Sequence, residues 1–536
     1  MKKLGYFLII AVLALALKGC KKVDTIYEDP YANPKTPLGI TLDRAIAPSP
    51  SSGIAGTTVH FQATGLPAYK DHLTFLFNGE KAEITNITET GIDVKVPPAA
   101  SSGITSINVD DQLVIGPSFT VIGYIKIDPT FRAQAGANNP VTRVYPLADG
   151  RKLVLGFFTN YDNKGFVAPL NRIVRTSADG ELDRTFRTGR AANGGLASIV
   201  ELGGKFVIAG GFSGYDQRGE NISNITTLNP NGTIDTMGVK TYRRPSQTDT
   251  TQYFPKFNGG TTGFIDQLYV HQNKILATGS FRYYVKRTYT DPNSTFTKDT
   301  VKLDSTEIRQ IARFNLDGSL DSSFRFDIGT GKGFPGANGP INSYMHQEAE
   351  KLEKLVVFGH FTSFDQQPAG RITRLNPDGS IDNSFTPGNG ADDDINVVTY
   401  NTTTKKYLIT GKFQHYGGKI APGIALLNED GTLDESFSGK TFEGGAVGFA
   451  RQLSDGLIVV SGNFKKYNGV TRNGFMVLTP TGAFAPGYNA TGAFIGGLLD
   501  IIETKSADDK RALLLIGGFI RFDNQPVSNI IRITLE

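Results

Sequence analysis

No tryptophan occurs anywhere in the 536 residues, and cysteine occurs once, at Cys20. A single thiol cannot close an intrachain disulfide, so the folded part must rest on its core. The histidines, His60, His72, His271, His346, His360 and His415, form neither an H-x-H nor an H-E-x-x-H spacing, and no zinc site is signalled. No Gly-x-Ser-x-Gly elbow and no phosphate loop is present. Asp392-Asp393-Asp394 could supply paired carboxylates for glycosidic chemistry, but such charge runs are usually solvated loops. The expectation is therefore a non-catalytic protein with no cofactor and no metal. An excess of either charge is lacking too. The net charge is +4, and Lys2, Lys3 and Lys18 lie in a leader that holds no acid. A mature surface so near neutrality offers no general field for nucleic acid or anionic lipid.

A long apolar run is also missing. The stretch from Leu4 to Leu17 is too short to span a bilayer and, behind Lys2 and Lys3, has the form of a signal peptide. It ends Leu17-Lys18-Gly19-Cys20, which looks like a bacterial lipobox apart from the unusual Lys18. Residues 1–19 are read as a lipoprotein signal peptide and Cys20 as the acylated anchor. The polar residues of 20–38, with their prolines, are read as a tether.

What the chain has in abundance is glycine, 62 residues, and one motif that recurs. LGFFTNYDN from Leu155 returns as AGGFSGYDQ from Ala209, TGSFRYYVK from Thr278 and FGHFTSFDQ from Phe358. It returns again as TGKFQHYGG from Thr410, SGNFKKYNG from Ser461 and IGGFIRFDN from Ile516. A short apolar run precedes each copy, and most are followed by a strand, an Asp-Gly turn and an Asp-x-x-Phe exit, as in RLNPDGSIDNSF at Arg374 to Phe385. Asp-Gly between alternating runs marks a tight hairpin. Units of about four strands at a period of about 40–60 residues describe propeller blades. The last copy stops at Glu536 without its hairpin and exit, while Asp128-Pro129-Thr130-Phe131 supplies an exit with no repeat before it. The strand around Tyr124 to Phe131 is expected to complete the last blade and so close the ring.

The motif set resembles the delta-60 repeat family of bacterial β-propellers over residues 123–536. Asn229 to Gly238 departs from it at the exit aromatic, and Thr479 to Tyr488 lacks both Asp residues. Residues 39–122 alternate in short strands, and the spacing of Pro50, Gly53, Gly56, Gly65, Pro97 and Gly103 is similar to the IPT/TIG immunoglobulin-like domain. The expected fold class is all-β, an immunoglobulin-like sandwich followed by a seven-bladed propeller closed by sharing a blade between its two ends.

The repeated Asp pairs, such as Asp317 and Asp321, superficially suggest a calcium loop but lack its Glu at the twelfth position. They are read as turn-making and exit-capping residues. Gly-rich connectors precede each inner strand and would gather at the mouth of the central channel, where propellers commonly bind. Aligned there are Thr142, Ala197, Asp266, Asn342, Asn396, Val447 and Gly496, followed by a ring that includes Arg143. Arg143, Asp266, Asn342 and Asn396 are the candidate ligand-binding residues. Two insertions, Lys240 to Gly260 and Phe281 to Gln310, carry Tyr242, Arg243, Tyr283, Tyr284, Arg287 and Tyr289. They are too aromatic for a disordered tether and are expected to hold a protein partner.

A lipobox, an IPT/TIG module and a delta-60 propeller together resemble accessory surface lipoproteins found beside SusC/SusD-type nutrient importers. The resemblance implies a lipid-anchored protein exposed at the outer-membrane surface, taking an oligosaccharide or peptide and partnering such a transporter. An adhesion or interaction scaffold is the alternative, and a propeller glycoside-active enzyme the third reading.

Overall fold

The computed structural model describes residues 35–218, 221–241, 251–290 and 300–536. Cys20, Tyr242 and Arg243 lie outside the described residues, as do the expected signal peptide and most of the expected tether. Among the described residues the helical elements are two three-residue 3-10 turns, Pro67–Tyr69 and Ala349–Lys351, and no helix is long and apolar enough to cross a membrane.

Residues from Thr41 to Val121 form two sheets around one core. Thr41–Leu42, Thr58–Thr64, Gly91–Lys95 and Glu83–Ile87 make one sheet; Ser52–Gly53, Gln112–Val121, Gly103–Val109, Leu73–Phe77 and Glu80–Lys81 make the other. Strict alternation along Thr58–Thr64 turns Val59, Phe61 and Ala63 inward, as a half-buried strand must. Phe61 meets Phe75 at 4.7 Å and Phe77 meets Phe119 at 5.1 Å between ring centroids. Leu38 packs against this core and its carbonyl accepts the Tyr69 hydroxyl at 2.9 Å. The end of the stretch read as tether is thus docked, because Leu38 gains more from burial than from solvation.

From Val141 onward the chain repeats an antiparallel sheet whose strands follow one another in sequence order. The first strands are Val141–Pro146, Gly195–Leu202, Ile265–His271, Ile341–Met345, Ile395–Asn401, Val447–Gln452 and Ile495–Lys505. Each packs on the first strand of the next sheet, and Ile495–Lys505 packs back on Val141–Pro146. Ile125–Ile127, within the segment expected to complete the last sheet, pairs antiparallel with Ile530–Leu535, matching Ile125 to Leu535 and Ile127 to Ile533. The residues around the recurring glycine explain the motif. A Cβ on Gly411 would lie 2.0 Å from the Asp394 carbonyl oxygen, and one on Gly462 would lie 2.2 Å from that of Ala446. Phe158, Phe212, Phe281, Phe361, Phe413, Phe464 and Phe519 are all buried. The clusters they join straddle neighbouring sheets: Phe158 shares one with Val154 of its own sheet and Leu514 of the last.

The second aromatic of the motif fastens the hairpin. Tyr161, Tyr215, Tyr416 and Tyr467 donate to the carbonyls of Gly180, Gly232, Gly431 and Gly482 at 2.8–2.9 Å. Where Phe364 has no hydroxyl, Arg325 donates to the Gly379 carbonyl at 2.8 Å instead. The exit Asp does more than cap local backbone. Asp382 accepts the Ser384 amide at 3.0 Å on one oxygen, while its other oxygen takes Arg374 Nε at 2.7 Å. Arg374 in turn lies 4.8 Å over the Phe385 ring. Arg175, Arg313 and Arg532 repeat this clasp with Asp183, Asp321 and Asp128. Arg532 also reaches Asp179 of the first hairpin at 2.7 Å, so one guanidinium ties both ends of the propeller region together.

Candidate functional site

All seven first strands line a cavity of about 570 Å³ on the axis of the ring. A β-bulge opens six of these strands near their start, between Val141 and Arg143, Leu196 and Ser198, Ile265 and Gln267, Ile395 and Val397, Val447 and Phe449, and Leu498 and Asp500. Ile341–Met345 has none. A bulge re-aims a side chain and shifts the count by one. The positions equivalent to Thr142 are therefore Ala197, Asp266, Asn342, Asn396, Gly448 and Leu499. Val447 and Gly496, expected there from sequence, are displaced from that ring by the bulges at Gly448 and Leu499.

Arg143, Asn342 and Asn396 line the cavity together with Gln267 and Gln347. Among the described residues none of these five side chains has a hydrogen-bonding or ionic partner. Arg143 is half-buried, whereas Asn342 and Asn396 are exposed to the cavity. Asp266 does not line it. It sits at the bulge, half-buried, and burial pushes its carboxyl up to about 6. Thr142 and Asn396 hold the same bulged position and do line the cavity, so repeat position alone does not decide which member of the ring reaches it.

Three residues that sequence reasoning missed shape the wall. Arg451 pairs with Asp500 at 3.1 Å and donates to the Ile501 carbonyl at 2.6 Å, which spans the sixth and seventh sheets. Tyr269 donates to the Ser343 carbonyl at 2.9 Å and its hydroxyl lies 3.0 Å from Ser343 Oγ; burial, partly offset by the Ser343 side chain, pushes that hydroxyl up to about 12. The wall thus mixes a free guanidinium, free amides and fixed tyrosine edges. Such a surface can hold a polar ligand by hydrogen bonds, and among the described residues no group of three His, Cys, Asp or Glu could hold a metal ion.

The insertions form sheets of their own. Thr236–Lys240 pairs with Thr251–Pro255, and Tyr283–Thr290 lies between Gly259–Thr261 and Thr300–Glu307. Phe254 stacks on Tyr289 at 4.8 Å and 16°, joining the two. Tyr289 donates to Asn221 at 3.1 Å and Arg287 to Ser223 at 3.2 Å. Tyr283 is partly exposed at 37 %. Tyr284, expected to face a partner, is instead the motif's second aromatic. It is buried and its hydroxyl donates to the Gly318 carbonyl at 3.0 Å, so it is spent on the fold.

No curated protein matches the chain. Among solved structures, a Bacteroides thetaiotaomicron protein of unknown function aligns at 10% identity and TM-score 0.25, covering 94% of this chain and 99% of that one. A putative phosphatase from the same organism aligns at 10% and 0.32, covering 92% and 98%. An auxiliary nutrient binding protein from Bacteroides ovatus aligns at 13% and 0.20, covering 70% and 96%. At these scores the likenesses assign neither fold nor activity. Residues 19–117 match a domain of unknown function, DUF5008. Residues 309–324, 354–385, 404–437 and 453–484 match the DUF5122 β-propeller, a domain of unknown function, and the chain is an all-β protein with a β-propeller domain.

Proposed function

We propose that the protein is a non-catalytic, ligand-binding lipoprotein of the outer-membrane surface, an accessory component of a SusC/SusD-type system that imports an oligosaccharide or peptide. In this reading residues 1–19 are removed, Cys20 is diacylated, and an immunoglobulin-like domain precedes a seven-bladed propeller closed through Ile125–Ile127. The observation that carries the binding role is the axial cavity of about 570 Å³, into which Arg143, Gln267, Asn342 and Asn396 bring polar groups with no partner among the described residues. That size suits a small polar ligand, and a few convergent polar groups are what fix orientation in such a site. The insertions support a second contact, with a protein, since they add paired strands outside the repeating sheets.

The test is a glycan and peptide binding screen on the Cys20→Ala chain, beside a pull-down of the native chain from membranes. A ligand lost on Arg143→Ala supports the reading; retrieval of protein partners with no small ligand favours the adhesion scaffold. Cys20→Ala should also release the chain from membranes. A variant still sedimenting with membranes after a carbonate wash contradicts the anchor.

A further inference from the structure

Between the two inserted hairpins runs a cleft of about 480 Å³, lined by Met237 to Lys240 on one side and Lys286 to Thr290 on the other, with Asn258 at its floor. The lining residues are consecutive, and none comes from Thr251–Pro255 or Thr300–Glu307, the partner strands of the two hairpins. A cavity lying over a sheet face would touch alternate residues of neighbouring strands. Consecutive residues of both strands line this one, as the edge of a strand presents them. Arg287 donates its amide to the Asn258 carbonyl at 3.2 Å, which turns the backbone of Arg287 and, two residues on, of Tyr289 toward that edge. Beyond Asn258 the edge at Tyr289 has no backbone partner among the described residues, and neither does the outer edge of Met237 to Lys240.

The charge at the cleft has one sign. Lys240, Lys286 and Arg287 line it, and no lining residue is acidic. None of the three forms an ion pair among the described residues; Asp304 is the cross-strand neighbour of Lys286 but is not bonded to it. The Asn258 side-chain oxygen is buried without a hydrogen-bond donor. Open strand edges beside a cationic cleft are a template for one more strand.

We infer that this cleft takes an extended, acidic segment of a protein partner by strand addition, its backbone pairing with the two edges and its carboxylates meeting Lys240, Lys286 and Arg287. This deepens the reading of the insertions as a partner site and rests on it. Strand addition supplies affinity through backbone hydrogen bonds, and the cations supply selectivity for acidic over basic segments.

The probe is a labelled peptide of alternating Thr and Glu, compared with a Thr/Lys peptide of equal length and with a Thr/Glu peptide N-methylated at alternate residues. Binding is measured by anisotropy on the Cys20→Ala chain. The Thr/Glu peptide should bind, and the other two should bind at least about tenfold more weakly, since one loses the charge match and the other the donors. Lys286→Glu with Arg287→Glu should weaken the Thr/Glu peptide by about tenfold or more while leaving the melting temperature close to the parent's. Equal binding of all three peptides, indifference to the charge reversal, or no binding of Thr/Glu overturns the proposal. A companion variant replaces Thr288 to Lys302 with an Asn-Gly turn. If native partners are lost from that variant but kept by the charge reversal, the partner site stands and the strand-addition cleft is what fails.

Discussion

Arg532, 2 % exposed in its side chain and paired with Asp128 at 1 %, holds two carboxylates from distant parts of the chain. Removing one member of such a buried group leaves charge without compensation, so Arg532→Ala should cost about 3–5 kcal/mol in urea unfolding. Arg151, with 39 % of its side chain exposed and two acidic neighbours, should lose far less on the same change, because solvent screens those pairs. Similar losses at both would remove burial as the deciding factor. Two carboxyl types also give opposite pH signatures. Burial pushes Asp321 up, but hydrogen bonds from Lys274, Ser323 and Arg313 outweigh it and hold the group well below the ordinary range. Its contribution is present above the unfolded value of about 3.9 and lost as pH falls below it. Asp266 is pushed up to about 6 by burial, so its cost is absent at low pH and grows as pH rises from about 4 through 6. Asp266→Asn should therefore stabilise the chain by about 1–3 kcal/mol at pH 7 and by nothing at pH 3. Thermal melts across that range check it, and a gain that is the same at both pH values contradicts it.

At the scale of the strand, much could be read from the repeated motif. Gly-x-Phe marks the second strand of every sheet, and the second aromatic, where it is Tyr, marks the residue that fastens its hairpin. The Asp-Gly turns located those hairpins as well. Other features were less legible. The clasping arginine was visible in principle, since Arg175, Arg313, Arg374 and Arg532 recur at one place in their copies. Its partner is the exit Asp, eight residues on in three of the copies, a distance that means nothing until the strand turns back. The bulges were not legible, because an extra residue in one strand leaves no compositional trace. They moved the ring positions in the sixth and seventh sheets. Tyr284 belongs at once to an aromatic insertion and to the motif, and only the structure shows that the motif claims it. A strand-scale test follows from the close approach at Gly411. A Cβ 2.0 Å from the Asp394 oxygen must push the first and second strands apart, so Gly411→Ala should cost at least about 2 kcal/mol. Gly417, where a Cβ meets nothing within 4 Å, has φ +57 and should lose less, about 1 kcal/mol, on the same change. Equal losses would deny the packing role of the motif glycine.

For the whole molecule, closure and docking set the geometry around the cavity. Ile125–Ile127 covers the edge of Ile530–Leu535 and becomes the outermost strand of the last sheet. Deleting Asn529 to Glu536 should lower the melting transition of the entire propeller rather than of one sheet, because the strand that both ends share is lost. The amino-terminal domain is not a free bead on this ring. Arg472, 3 % exposed, donates to the Ala99 carbonyl at 2.9 Å, and Ser102 donates its amide to the Ala490 carbonyl at 2.8 Å. The domain next to the expected tether is thus bonded to the sixth and seventh sheets, which gives the cavity a set attitude relative to that end of the chain. The central claim is that the cavity binds, and that its free polar groups do the binding. Its most direct measurement is calorimetric titration of the ligand found in the screen into the Cys20→Ala chain and into the same chain with Arg143→Ala and Asn342→Ala. The account predicts an unchanged melting temperature and affinity weakened by roughly ten- to a hundredfold, as the loss of hydrogen bonds worth about 1.5–3 kcal/mol requires. Undiminished affinity in the double variant would contradict it.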